Sequence, residues 1–355
     1  MISLGAMFDL DPKFTYYCRL LEEKGFEHIY LLDSHVEWRE VSPYLTLGIL
    51  NTSRATIGTC VTNPVSRHPT VVASLFATLQ ELSGGRMILG IGKGDSSLRR
   101  LGERPAQLKE FKDKVRLIQK LANGDEVAYM PQVPVHEKWH AQAADAVTLK
   151  LRWAPKKKIP LYIAGYSPRI LQFAGELADG VFLQIADLGT IEWAMHHIRR
   201  GAEQSGRNLS EIQVVCCTAT AVSEDLARAC DAVRGFPAFV MNHVLDMLKY
   251  YKASELPASL LQNIDKKPTY DYRDHTRNSS GHSAYVSDEM ADSFTIVGSP
   301  ARCAAKLSAL ERLGVNQVCL YLFDMSQDAI VKTVEAYAQE IMPMAARGGV
   351  QGLHP

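Results

Sequence analysis

Eight times along this chain a short apolar run bounded by turn signals gives way to a segment with apolar residues every three or four positions. That alternation is the signature of repeated βα units and a parallel sheet. The runs are Ile2 to Phe8, His28 to Leu32, Thr56 to Val61, Met87 to Ile91, Leu161 to Ala164, Gly180 to Gln184, Ile212 to Ala219 and Gln317 to Phe323. Between them lie amphipathic segments such as Lys13 to Lys24, Pro69 to Leu82, Leu108 to Ala122, Arg169 to Ala178, Ile191 to Gln204, Arg302 to Leu313 and Asp328 to Ile341. Gly25, Gly84, Gly206 and Gly314 stand where several of these should end. Eight βα units predict a closed (β/α)8 barrel, a TIM barrel, spanning residues 1–355 as one domain.

Bulk properties narrow the function. At 355 residues and 46% hydrophobic content the chain can bury a large core. Lys+Arg and Asp+Glu both number 39, so no net field draws the protein to nucleic acid or an anionic membrane, and a small-molecule partner is expected. Seven cysteines without CxxC or Cys/His zinc spacing argue against a disulfide framework or a structural metal and for a reducing compartment. The segment MISLGAMFDLDPKF has neither a basic start nor a long apolar stretch, and no later run could span a membrane. The chain reads as cytoplasmic.

Polar residues follow several strands, and in a parallel barrel the carboxyl ends of the strands share one face where ligands bind. After strand three, TNPVSRHP supplies Thr62 and Asn63; after strand four, GIGKGDS supplies Gly92, Gly94 and Asp95. The glycines do not form a dinucleotide fingerprint, because its third position falls at Asp95 and three βα units precede it. They read instead as small residues that let a flat ligand or a phosphate approach the backbone, with Asp95 and Ser96 aimed inward; the alternative is a turn capped by Asp95. No helix is evident before about Arg104. After strand five, Gly165 ends the strand, Ser167 takes the N-cap and Pro168 the first helical position. Free N–H groups, the helix dipole and the Ser167 hydroxyl make an anion site suited to phosphate, the alternative being a simply capped helix. Strand two ends in LLDSHVEW, where Asp33 and His35 are candidates for proton handling or for capping the turn.

Two insertions break the rhythm. Residues 125–158, after strand four, contain VTLKLRW, which predicts a short strand with Thr148, Lys150 and Arg152 on its wet face, followed by a solvated lysine run. Residues 236–292, between strands seven and eight, join a helical half to a polar half carrying Tyr270, Tyr272, His275, Arg277, His282 and Tyr285, groups suited to a lid. His136 and His140 have helical spacing but no third ligand, so no metal is expected. No GxSxG nucleophile elbow is present. An anion pocket, room for a flat ligand and few acid/base groups suit a cofactor that carries the chemistry itself.

Four motifs in order, TNPVSRHP, SGGRMILGIGKGDS, AGYSPRILQFAGELADGVFL and FTIVGSPARCAAKLSALERLGVNQVCLYLF, resemble the bacterial luciferase-like superfamily. The match is to the branch similar to methylene-tetrahydromethanopterin reductase, whose members use the deazaflavin coenzyme F420. The resemblance implies a barrel with insertions, a homodimer or higher homo-oligomer, and a flavin-type ring at the strand ends. It also implies a non-prolyl cis peptide at Cys60–Val61, with Thr62 and Asn63 bordering the ring. The strand-end reading and the resemblance together give a cofactor-binding set of Cys60, Val61, Thr62, Asn63, Gly92, Gly165, Tyr166, Ser167 and Gln184, and a catalytic set of Asp33, His35 and Asp95. Where the family frequently has Asp-His after strand two, this chain reads Asp33, Ser34, His35, which displaces the histidine by one residue. The expected activity is hydride transfer between F420 and a small organic substrate. The alternatives are an FMN-dependent, O2-consuming monooxygenase and, third, a non-catalytic flavin-binding barrel.

Overall fold

The computed structural model describes residues 2–129, 147–275, 277–278 and 280–347. Its strands are β1 (Ser3–Phe8), β2 (His28–Leu31), β3 (Thr56–Thr59), β4 (Met87–Ile91), β5 (Val127–Tyr129), β6 (Val147–Leu149), β7 (Leu161–Ala164), β8 (Gly180–Leu183), β9 (Gln213–Val222), β10 (Ile296–Gly298) and β11 (Gln317–Leu322). Each of the eight expected runs holds one strand of a parallel ring: β1 to β4, then β7, β8, β9 and β11. The ring closes where β1 lies beside β11, in register from Ser3 opposite Gln317 to Phe8 opposite Leu322. The TIM barrel is therefore observed.

The ring forms because its strands are apolar on both faces, as strands covered by helices outside and side chains inside must be. In β4 every position is buried. The helices carry the complementary stripe; in Leu108–Ala122, Phe111, Val115, Ile118, Leu121 and Ala122 face the sheet. Gly25, Gly84, Gly206 and Gly314 all take positive φ at helix ends, where a Cβ would be strained.

The amino ends of the strands are locked by charge-assisted bonds. Arg86, just before β4, donates to the carbonyls of Ala55 (2.7 Å), Ile49 (3.0 Å), Ser83 (3.0 Å) and Thr52 (3.2 Å). Glu22, at the end of the first helix, accepts from the backbone N–H of Ser53, Arg54 and Ala55. Burial alone would raise the Glu22 pKa, but these N–H donors outweigh it and hold the carboxyl at about 2.

Four features differ from the sequence reading. A helix, Val41–Leu50, fills the gap between β2 and β3; VSPYLTLGIL is apolar nearly all round and shows no stripe. A one-turn helix, Ser96–Arg99, begins directly after Asp95 rather than near Arg104, tied by the Arg99 guanidinium to the Asp95 carboxylate. β9 runs beyond Ala219 to Val222, and its overhang pairs with β10, which the alternation had not suggested. The extra strand is present as β6, antiparallel to β5, but it stops at Leu149; Thr148, Lys150 and Arg152 are exposed. His136 and His140 lie outside the described residues.

The second insertion packs as the helix Gly235–Met247, a series of single turns and the helix Asp288–Phe294. It is hooked to the barrel by the buried Asp187 carboxylate, which accepts from Ser259 (2.7 Å), Ser293 (2.6 Å) and Thr190 (2.7 Å). All seven cysteines are buried free thiols. Among the described residues no helix is long and apolar enough to cross a membrane.

Candidate active site

A cavity of about 810 Å³ opens at the carboxyl ends of the strands, within the size of a cofactor pocket. Asp33, Cys60, Val61, Thr62, Gly92, Asp95, Gly165, Tyr166, Ser167 and Gln184 all line it. The Cys60–Val61 peptide is cis, at the position the resemblance implied.

Two expected site residues are not on the wall. Asn63 is buried behind it, with its amide donating to Ser66 (2.9 Å) and Ser97 (3.1 Å) and its carbonyl accepting from the Val65 and Ser66 N–H groups. It buttresses the loop. His35 is exposed and does not line the cavity. The reason is local: the N–H groups of Glu37 and Trp38 both return to the Ser34 carbonyl at 2.9 Å, and this turn buries Ser34 and throws His35 outward.

The glycines that line the cavity are also pressed by neighbouring side chains. A Cβ on Gly165 would sit 2.2 Å from Ile170 Cγ2, and one on Gly92 would meet Val61 Cγ2 at 2.8 Å. Packing of protein against protein demands both, before any ligand arrives.

Ser167 occupies the N-cap position of the helix Pro168–Leu177, yet its side chain makes no cap hydrogen bond. The simply capped helix is thus not what forms. Among the described residues the hydroxyl makes no cap bond, and it stands beside a helix start whose dipole favours anions. Lys93, Arg104 and Arg169 line the same cavity, and no carboxylate among the described residues pairs with them.

Asp33 stands in a fork. Arg67 donates to it at 2.9 and 3.1 Å, and the Thr62 hydroxyl at 2.6 Å, which ties the end of β2 to the loop after β3. Asp95 belongs to a second network with Arg99 and, through it, Asp246; Tyr272 donates to Asp95 at 3.1 Å, and His243 Nε2 lies 3.8 Å away. Burial works against the Asp95 charge, but His243, Arg99 and His275 outweigh it and hold the carboxyl below its usual range. Burial lowers the pKa of both histidines against the pull of the Asp95 charge, that of His275 to about 3. The ring of His243 stacks on Tyr166 at 4.6 Å, and the Tyr166 hydroxyl donates to Gln184 Oε1 at 3.1 Å.

Sequence reasoning placed Tyr272 and His275 in a lid but did not reach His243, Asp246, Lys93, Arg104 or Trp38. A faint signal was available for His243 and Asp246, which share one face of an apolar helix at a three-residue spacing.

The luciferase-like monooxygenase family model matches residues 13–317. A 5,10-methylenetetrahydromethanopterin reductase of Archaeoglobus fulgidus is 31% identical, over 89% of this chain and 92% of the relative. The solved structure of the coenzyme F420 dependent tetrahydromethanopterin reductase of Methanopyrus kandleri is 25% identical, with a TM-score of 0.69 over 96% of this chain and 99% of that one. An F420-dependent secondary alcohol dehydrogenase, in complex with an F420-acetone adduct, gives a TM-score of 0.71 over 97% and 99% of the two chains; at 18% identity that likeness is one of fold.

Proposed function

The chain belongs to the luciferase-like monooxygenase family, and from that membership we propose that it is an oxidoreductase moving a hydride between coenzyme F420 and a small organic substrate. The observation that carries this reading is the match to a methylenetetrahydromethanopterin reductase over 89% of the chain, joined to a cavity lined from the ends of β2, β3, β4, β7 and β8.

The residues present fit the cofactor. The Ser167 hydroxyl and the adjoining helix start suit its phosphate, with Arg104 and Arg169 as further cations on the wall. Cys60, Val61 and Thr62 offer a surface for the flat ring, and the Asp33 fork fixes that surface by tying Thr62 down. When bound, the deazaflavin supplies the carbon that gives or takes the hydride. Asp95 stays ionised at neutral pH, so it orients or accepts and does not donate a proton. Tyr166 with His243, and Tyr272 with His275, close the substrate side, and the 236–292 insertion excludes water there.

Titrating the purified protein with F420 and with FMN tests the reading. Saturable binding of F420, followed by anaerobic oxidation of its reduced form by a carbonyl, imine or activated alkene, is the expected result. Tight FMN binding with oxygen uptake would turn the assignment to a monooxygenase.

A further inference from the structure

Glu37 sits just outside the cavity, and both of its carboxylate oxygens are buried without a hydrogen bond of good geometry, the hydroxyls of Ser34 and Ser96 being the hydrogen-bonding groups that reach it. A buried carboxyl held so weakly is costly as an anion and is favoured in its protonated form. Burial raises its pKa to about 7; the hydroxyls of Ser34 and Ser96 and the charge of Arg100 pull against that rise, while Asp95 adds to it. Tyr321, on the facing strand β11, also feels Glu37. The two serines that influence Glu37 both line the cavity, and their hydroxyls meet at 2.9 Å. Asp95 is held as an anion and so is not the source of a proton at neutral pH.

We propose that Glu37 is the proton store of this site, delivering a proton to the substrate, or recovering one, through the paired hydroxyls of Ser34 and Ser96. The proposal rests on the hydride-transfer reading above. When a carbonyl carbon accepts a hydride from the reduced deazaflavin, its oxygen must gain a proton. One serine O–H breaks toward that oxygen, the second serine's O–H breaks to re-form it, the Glu37 O–H breaks to re-form the second, and the carboxylate recovers its proton from water. A hydroxyl can donate and accept at once, so the pair conducts without changing charge. Glu37 acts through the serines and is a positioning and storage group.

The test begins on the protein without cofactor. Isotope-edited infrared spectra of wild type minus Glu37→Gln isolate the Glu37 carboxyl band. Its titration near pH 7 is expected, and a midpoint at the ordinary carboxylate value near 4.3 would overturn the proposal. In the reducing direction, Glu37→Gln should cut turnover by about a hundredfold and abolish the alkaline fall near pH 7, while F420 affinity is unchanged. The double variant Ser34→Ala, Ser96→Ala should lose as much turnover while Glu37 still titrates near neutral pH. Full turnover with the alkaline fall intact in either variant would sink the relay. A near-neutral titration in a protein that binds no deazaflavin would overturn the cofactor reading and leave the protonated carboxyl standing.

Discussion

The two rims of the barrel each hold a glutamate at a loop junction, and they treat it in opposite ways. At the rim where strands begin, Glu22 is met by three backbone N–H groups and its pKa falls to about 2. At the rim where strands end, Glu37 is enclosed with no hydrogen bond of good geometry, and its pKa rises to about 7. One rim uses its polar atoms to satisfy one another. The other leaves polar atoms poorly satisfied among the described residues, with the Ser167 hydroxyl, the Glu37 carboxyl and three cations without a carboxylate partner on or near one cavity. A barrel thus separates stability from chemistry by face, because a group already satisfied by its own protein has nothing left to offer a ligand.

Arg86→Ala should sharpen the contrast most. It strips donors from four carbonyls at the stable rim and should cost about 4 kcal/mol in urea unfolding, with F420 affinity of the folded protein unchanged. Ser167→Ala tests the other rim: cofactor affinity should weaken by about 2 kcal/mol, while the unfolding midpoint stays put because there is no cap bond to lose. A drop in stability of about 1 kcal/mol, the usual result of losing a capping serine, would break the contrast.

The two glutamates predict opposite pH dependence of unfolding. Glu22, depressed when folded, adds stability that is complete above its unfolded pKa near 4.5 and is lost as pH falls toward 2; Glu22→Gln should remove roughly 1 kcal/mol at pH 7 and little at pH 2. Glu37, raised when folded, destabilises progressively from about pH 4.5 to 7. Glu37→Gln should therefore gain roughly 1 to 2 kcal/mol at pH 8 and nothing near pH 4. The smallest effect belongs to His35→Ala, which should leave turnover, affinity and unfolding within about 0.5 kcal/mol of wild type.

Much of the ring was legible in the sequence because a strand covered on both faces must be apolar throughout, and such runs are short and conspicuous. The helix Val41–Leu50 was not, since an apolar surface without a stripe carries no period. β10 was hidden for another reason: its partner, the overhang of β9, lies some 76 residues back along the chain. In the site, features that the backbone bears, such as the strand ends and the helix start at Ser167, could be placed from local pattern. Side chains brought in by the insertion, His243 and Asp246 among them, depend on tertiary docking that no short window records. His35 was misplaced by a turn that only the double return to the Ser34 carbonyl reveals. Glu37 was invisible because burial of a carboxyl is a property of the surrounding fold.

The pairing of β1 with β11 has a consequence for how the protein is born. During synthesis β1 leaves the ribosome well before β11 and can take β2 on one side, but its other edge stays open until Gln317–Leu322 has been made. For most of translation the nascent chain therefore carries a bare template for strand addition. Chaperone cover over residues 3–8, or rapid burial of their side chains by neighbouring helices, has to last until the final strand arrives to seal the cylinder.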